Sequence, residues 1–398
     1  MVIVMWDFPS LFLYMGVSLV GTLCVRREKQ LEVKRRVSIF NQYYLIFFLL
    51  WVGIATFRYV GYQKGIVVGG MDAPMYKEFF EICRSASQQN LYSYHTESLF
   101  QAYTKIIRYF TEDYKVYFAI SYGFIVFAYL LFIKEFKLAG SRCAAIFMLF
   151  FVYLKSFCVF RTHLAIAVIL VSLVLIKKNR VFWAVVLALT TPFIQRASIF
   201  FAIFPFFYIL FKRKKITVKR GMIFVVVGMV VGVVAQRVAL TGGYSWMLGG
   251  AYIKYAKASM SAGYAIDYVK LIVEQILVLV LLLHFDKNIN TNIVSEQKSG
   301  ENRLEILRII MIYDAMLIPI SFILNVWRGV DYFFLPRLIM VDEIFSLLAK
   351  RVTKSSRKVY YIGIYILMAV WFIFRLSTTY DISALMPYVF EPFMNIGW

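Results

Sequence analysis

Long apolar runs alternate with short basic clusters along the whole chain, and that alternation narrows the possible folds more than any other feature. A helix rises about 1.5 Å per residue, so roughly 20 apolar residues cross the hydrocarbon core of a bilayer. On that spacing the 398 residues predict an all-α polytopic integral membrane protein with about twelve spans (about 10–14). They fall at 8–25, 39–57, 115–133, 143–160, 162–176, 181–195, 197–211, 221–240, 268–284, 306–325, 333–349 and 359–377. Pro192 is expected to break the segment 181–195 near its outer end, because its ring removes a donor and clashes with the preceding turn. Only 17% of the residues are charged while 61% are hydrophobic, against about a quarter charged in a soluble domain. So apolar a chain has too little polar surface to cover a water-soluble core. A soluble enzyme, a secreted disulfide scaffold and a disordered protein are excluded, and 1–398 reads as one membrane-embedded domain.

The basic clusters give the orientation. The segments 26–36 (RREKQLEVKRR), 134–142 (KEFKLAGSR), 177–180 (KKNR), 212–220 (KRKKITVKR) and 350–358 (KRVTKSSRK), with the polar loop 285–305, fall on one side of the predicted spans. Cytoplasmic loops collect Lys and Arg, so these segments are expected in the cytoplasm and both termini outside. The formal net charge of +22 is then a topology signal with some attraction to anionic lipid heads. It is not a nucleic-acid footprint, since the clusters lack interleaved aromatic platforms. The N-terminal MVIVMWDFPSLFLYMG has no basic region and no small-residue cleavage site; it reads as a retained first span rather than a signal peptide. Four scattered cysteines form no CxxC or Cys/His pattern, so no structural metal is expected.

The opposite side carries a long loop, 58–114, and a second loop, 241–267, whose glycine pairs and aromatics suit a mobile cover. Within the long loop, MDAPMYKEFFEICRS and ESLFQAYTKIIRYF read as amphipathic external helices. Arginines recur on this side: Arg58, Arg161, Arg196, Arg328 and Arg337. An arginine among apolar residues at the end opposite the positive-inside trend must snorkel or meet an anion. A planar guanidinium binds two phosphate oxygens at once, so a gathering of these side chains suits a diphosphate headgroup. Asp72, after the glycine pair in GGMDAPMY, reads as a helix N-cap, a candidate general base, or both. Glu97 reads as part of a capping box or as a second base. Glu78 and Glu81 read as solvated helix charges, and Asp331 as an ion-pair partner of Arg328. His163, two residues from Arg161, is placed for proton transfer or for a structural role. The sequence contains no Walker loop, GxSxG, HExxH or external DxD pair, so no cofactor and no metal are expected.

FRYVGYQKGIVVGGMDAPMYKEFF resembles the start of the first large external loop of the EpsG-like polysaccharide polymerases, a branch of the Wzy-type repeat-unit polymerases. HTESLFQAYTKIIRYFTEDYKVYFAI is similar to that family's following Glu-x-x-Phe helix, and FRTHLAIAVILVSLVLIKKNR to its Arg-Gln-x-Leu-Ala helix. TPFIQRASIFFAIFPF resembles its His-x-Ser helix start, and VWRGVDYFFLPRLIM its late Arg and Tyr-Phe segment. Thr162 stands where the family has Gln and Arg196 where it has His, so a proton-handling role of that histidine passes, on this reading, to His163.

The resemblance implies a GT-C-like bundle in the bacterial inner membrane. It would act on its external face as a metal-independent transferase, moving a growing glycan from a polyprenyl diphosphate to the terminal sugar hydroxyl of an incoming lipid-linked unit. It assigns the diphosphate to the five arginines, the proton to Asp72, then His163 and Glu97, and the glycan to Tyr76 and Tyr332. Membrane lipids, a flippase and a chain-length regulator are the partners it implies. A flippase for the same lipid-linked sugars is the alternative.

The orientation is open to test with cysteines placed in a background free of the native four. Asn179→Cys should react with an impermeant maleimide only once the cytoplasmic face is opened, whereas Gln63→Cys should react in intact cells. The reverse pattern would invert the topology.

Overall fold

The computed structural model describes residues 7–32, 41–63, 65–83, 96–136, 146–212, 218–240, 273, 276, 303–323, 329, 331–353, 355–378, 384–385 and 388–391. Apart from one small hairpin it is helical. The chain, read from sequence as one membrane-embedded domain, forms two compact units. One contains Met1–Leu170, Phe193–Gln195 and Phe345–Trp398, the other Val171–Pro192 and Arg196–Ile344.

The first unit begins with α1 (Phe8–Glu32) and α2 (Gln42–Thr56). Leu11, Tyr14, Ser18, Gly21 and Val25 recur every three or four residues and are buried, while Phe12, Leu19 and Leu23 point outward. Gly21 lets the two helices approach, since a Cβ there would stand 3.1 Å from the Phe47 ring and 3.2 Å from the Trp51 indole. Trp51 stacks on Phe47 at 4.3 Å and on Tyr153 at 4.8 Å, and the Tyr153 hydroxyl donates to the Trp51 carbonyl at 2.6 Å. After α2 comes an antiparallel hairpin, β1 (Gly61–Gln63) and β2 (Ile66–Val68), with Gly61 opposite Val68. Two amphipathic helices follow, α3 (Ala73–Ile82) and α4 (Ser98–Phe110). They bury Tyr76, Phe79 and Phe80 in one case, and Phe100, Thr104 and Ile107 in the other. Glu78 and Glu81 are exposed, as their spacing suggested.

The long helix α5 (Tyr114–Phe136) leads to α6 (Ile146–Ser156) and, after a tight turn, to α7 (Phe160–Lys177). Near the chain's end the Tyr14 hydroxyl donates to the Leu385 carbonyl at 2.8 Å, and the Tyr388 amide to the Ser10 hydroxyl at 2.6 Å. Both ends of the described chain therefore meet beside the loop that follows α2.

In the second unit α8 (Val181–Thr190) stops short of Pro192, and two 3₁₀ turns, Thr191–Phe193 and Arg196–Ser198, follow it. This is the break expected of that proline. Then come α9 (Ile199–Ala202), α10 (Phe204–Phe211), α11 (Val218–Leu240), α12 (Arg303–Ile323) and α13 (Phe334–Arg351). The last helix of the chain, α14 (Arg357–Thr378), returns to the first unit. Gly228 and Gly232 of α11 lie against α12. A Cβ at the first would stand 2.2 Å from the Met316 carbonyl oxygen, and at the second 2.8 Å from Ile323 Cδ1. Two glycines four apart thus remove the side chains that would hold the helix backbones apart.

Among the described residues five helical stretches are long and apolar enough to cross a membrane: Phe8–Glu28, Tyr114–Phe136, Phe160–Lys177, Gly221–Val238 and Arg357–Leu376. Gln42–Thr56, Val181–Phe193 and Arg196–Phe211 are apolar but shorter. The expected count of twelve is not confirmed among the described residues. Arg337, Asp342, Glu343, Lys350 and Arg351 make α13 the most highly charged of the long helices in the second unit. The expected span 268–284, except Val273 and Ile276, and the loop 241–267 lie outside the described residues.

The glycine contact predicts a graded response. Gly228→Leu or Gly232→Leu should lower the thermal unfolding midpoint of the purified protein, at a cost of about 2–4 kcal/mol. Gly221→Leu, where a Cβ meets nothing within 4 Å, should leave it nearly unchanged. Equal effects at the three positions would show that the close approach does not matter.

Candidate functional site

The chain turns inward immediately after α2. Arg58, 2% exposed, donates through Nε to the Gly69 carbonyl at 2.8 Å and through Nη2 to the Tyr122 hydroxyl at 3.0 Å. Its Nη1 donates to the Ala55 carbonyl. The guanidinium carbon lies 4.3 Å from the centre of the Phe157 ring and 4.9 Å from those of Phe118 and Tyr122, so ring faces take the place of a counter-ion. The diphosphate contact expected of Arg58 is therefore not what the structure shows. Its charge faces inward because the acceptors that satisfy it are inside.

Gly69 and Gly70 make this turn possible. Their φ angles are +87° and +123°, a region L side chains rarely adopt. A Cβ on Gly69 would come within 2.0 Å of the Tyr59 carbonyl oxygen, and one on Gly70 within 2.2 Å of the Phe157 carbonyl oxygen. Two residues later Asp72 occupies the N-cap position of α3 and makes no side-chain hydrogen bond to the end of its helix. The residue is half-buried. Its backbone carbonyl accepts from the Tyr76 amide at 3.3 Å.

Tyr76 ties α3 to the start of α7, its ring centre 5.3 Å from that of Phe160 and 6.0 Å from that of Phe100. Next to Phe160, Arg161 Nη1 lies 2.6 Å from Glu97 Oε2. The two side chains are 12% and 6% exposed. Its guanidinium carbon is 5.9 Å from the centre of the Tyr76 ring and 5.8 Å from that of Phe100. Glu97 holds the N-cap position of α4 but makes no capping bond; its carboxylate is turned to Arg161 instead. The capping-box reading gives way to an ion pair, while Gln101 Nε2 donates to the Thr96 carbonyl at 2.9 Å and hydroxyl at 3.1 Å. α3, α4 and α7 thus all begin around the turn 157–161, where helix N-termini add partial positive charge to that of Arg161.

The remaining expected residues divide. His163 is fully buried, its Nδ1 3.0 Å from the Tyr129 hydroxyl of α5, so it lies inside the helices rather than at the rim. Tyr76 is also buried, and a face for a sugar, as expected of it, is covered by Phe160 and Phe100. Cys83, at the end of α3, is buried with its Sγ 3.3 Å from the Phe80 carbonyl. Burial pushes its thiol pKa up, against the nearby charges of Arg108 and Lys105, which makes it a poor nucleophile.

In the second unit Arg196 opens a 3₁₀ turn and is exposed. Arg337, expected at a diphosphate, is buried with its Nε 2.7 Å from Asp314 Oδ2, joining α13 to α12. Tyr332, expected at the glycan, is fully buried and stacks on Phe201 with ring centres 4.2 Å apart and planes at 11°. Both corrections have one cause: in a chain this apolar, polar and aromatic groups find partners inside first. Asp331 is buried, while Arg328, its expected partner, lies outside the described residues. The Asp314–Arg337 pair was missed in the sequence, although an aspartate inside the apolar run IIMIYDAMLIP is the signal that marks it.

A family model described as EpsG family matches residues 41–390. No curated protein and no solved structure matches the chain.

The glycine turn can be tested directly. Gly70→Ala should cost about 2–4 kcal/mol of stability, since it combines left-handed strain with a clash against backbone. Gly65→Ala, at φ +78° but with nothing within 4 Å of its Cβ, should cost only about 1 kcal/mol. Thermal unfolding in detergent separates the two. Equal losses would mean that the contact with the Phe157 carbonyl does not hold the turn.

Proposed function

This chain belongs to the EpsG family, and on that premise we propose that it lengthens a polysaccharide by joining lipid-linked repeat units. The donor is a growing glycan on polyprenyl diphosphate, the acceptor a terminal sugar hydroxyl on the next unit, and the working face the outer side of a bacterial inner membrane. The observation that carries this reading is the 2.6 Å contact between Arg161 and Glu97 at the place where three helices begin. It is a guanidinium held in orientation by a carboxylate that a more highly charged anion can replace.

The chemistry needs little else. The acceptor oxygen bonds to the anomeric carbon as the bond from that carbon to the diphosphate oxygen breaks, and the diphosphate leaves with the electron pair. Arg161 and the helix N-termini stabilise the charge that develops on the leaving oxygens. A carboxylate in reach of the acceptor hydroxyl takes its proton. Asp72 is the first choice, because it stands at the start of α3, is half-buried and does not cap its own helix. Arg58 serves by holding the turn that carries Asp72. Arg196 and Arg328 remain proposed phosphate contacts on the strength of the sequence.

Purified protein given short-lipid diphosphate repeat units should produce a ladder of lengthened glycans. Arg161→Lys keeps the charge but loses the fork, and should slow laddering about 10²-fold or more. Asp72→Asn should slow it about 10²–10⁴-fold while single lipid-linked units persist. A fully active Arg161→Lys protein would remove the proposed diphosphate contact. Units crossing the membrane with no ladder formed would favour a flippase instead.

A further inference from the structure

A segment near the chain's end, described at 384–385 and 388–391, holds both stems of the loop that carries Asp72. At one stem the Val389 carbonyl accepts from the Tyr59 amide at 2.7 Å and the Glu391 amide donates to the Phe57 carbonyl at 3.0 Å. The segment thus pairs on either side of Arg58, in an antiparallel bridge between Arg58 and Phe390. At the other stem the Ala384 carbonyl accepts from two successive amides, Gly69 at 2.9 Å and Gly70 at 3.3 Å. Those are the two glycines whose left-handed backbone points the chain into α3.

The segment is itself anchored by side chains. The Tyr388 hydroxyl donates to the Ile54 carbonyl at 2.9 Å near the end of α2. The Glu391 carboxylate accepts from the Tyr114 hydroxyl at the start of α5 and lies 3.6 Å from Lys115 Nζ. A loop closed over its own backbone would need none of these contacts. Here main-chain groups of a segment more than three hundred residues away in sequence satisfy the amides of the glycine pair.

We propose that residues 384–385 and 388–391 act as a positioning strap for the turn 69–72, with Glu391 as the side chain that fixes it in place. The proposal rests on the reading of Asp72 as the base, and it adds that the reactive position of Asp72 depends on the end of the chain. Glu391 touches neither sugar nor diphosphate on this account. Its effect passes through the strap to the glycine amides and so to the carboxylate.

Two readouts on full-length protein keep the mechanical claim apart from the catalytic one. In Glu391→Ala, amide hydrogen exchange of the peptide covering 66–76 should quicken about tenfold or more. In the ladder assay kcat should fall about 10- to 100-fold with KM for the lipid-linked unit within twofold of wild type, as expected for a misplaced catalytic group rather than lost binding. Glu391→Gln still accepts a hydrogen bond from the Tyr114 hydroxyl and should restore both readouts to near wild type. It also guards against a fold lost with the alanine variant, as does Tyr388→Phe, which should give a smaller change in the same direction. Exchange at 66–76 unchanged in Glu391→Ala would overturn the strap. Quickened exchange with kcat unchanged would overturn its positioning role. A wild-type protein that makes no ladder would defeat the polymerase reading alone, and the exchange result would still decide whether the strap holds the turn.

Discussion

A guanidinium enters the interior of an apolar helical bundle only if its N–H groups find acceptors and its charge finds compensating electron density. Arg58 meets both demands with the Ala55 and Gly69 carbonyls, the Tyr122 hydroxyl and the faces of Phe118, Tyr122 and Phe157. Much of the surrounding architecture follows. The Gly69 carbonyl can reach Nε only if the loop turns back sharply, which the left-handed glycines permit. The ring faces are available only because α5 and the turn after α6 bring Tyr122 and Phe157 together, their centres 5.2 Å apart. The buried charge links α2, the glycine turn, α5 and the 157–159 turn, and so fixes where α3 and α7 begin.

That arrangement gives the Arg161–Glu97 pair its chemical interest. Both side chains are nearly enclosed yet lie at helix starts, where backbone amides face outward. A diphosphate carries more negative charge than a single carboxylate and offers two oxygens to one guanidinium. It can displace Glu97 without leaving Arg161 unpaired. On the proposed function, that exchange would release the Glu97 carboxylate as the donor diphosphate binds.

The sequence revealed the helices well and their destinations poorly. The apolar run of α1, the break at Pro192 and the start of α3 next to Asp72 were legible because each depends on near neighbours in the chain. The hairpin over 61–68 was not, since two three-residue strands with an exposed Tyr62 and Ile66 carry almost no alternation. Tyr76 and Tyr332 are expected at the glycan through the family resemblance. Their burial depends on Phe160, Phe100 and Phe201, which arrive from other elements. The proposed strap works largely through main-chain carbonyls and amides, and those are the same whatever the residue.

The two units each bury an arginine–carboxylate pair, and the difference between the pairs bears on function. Arg337, in the first turn of α13, and Asp314, midway along α12, have side chains 6% and 1% exposed; removing either partner there leaves an uncompensated charge, at a cost of about 3–5 kcal/mol. That pair ties α12 to α13. Arg161 and Glu97 stand at the first turn of α7 and the N-cap of α4, and on the function proposed above this is the pair whose carboxylate a diphosphate would displace. Both arginines stand in a first turn, so what separates the two pairs is the carboxylate, which lies midway along α12 in Asp314 and at the N-cap of α4 in Glu97.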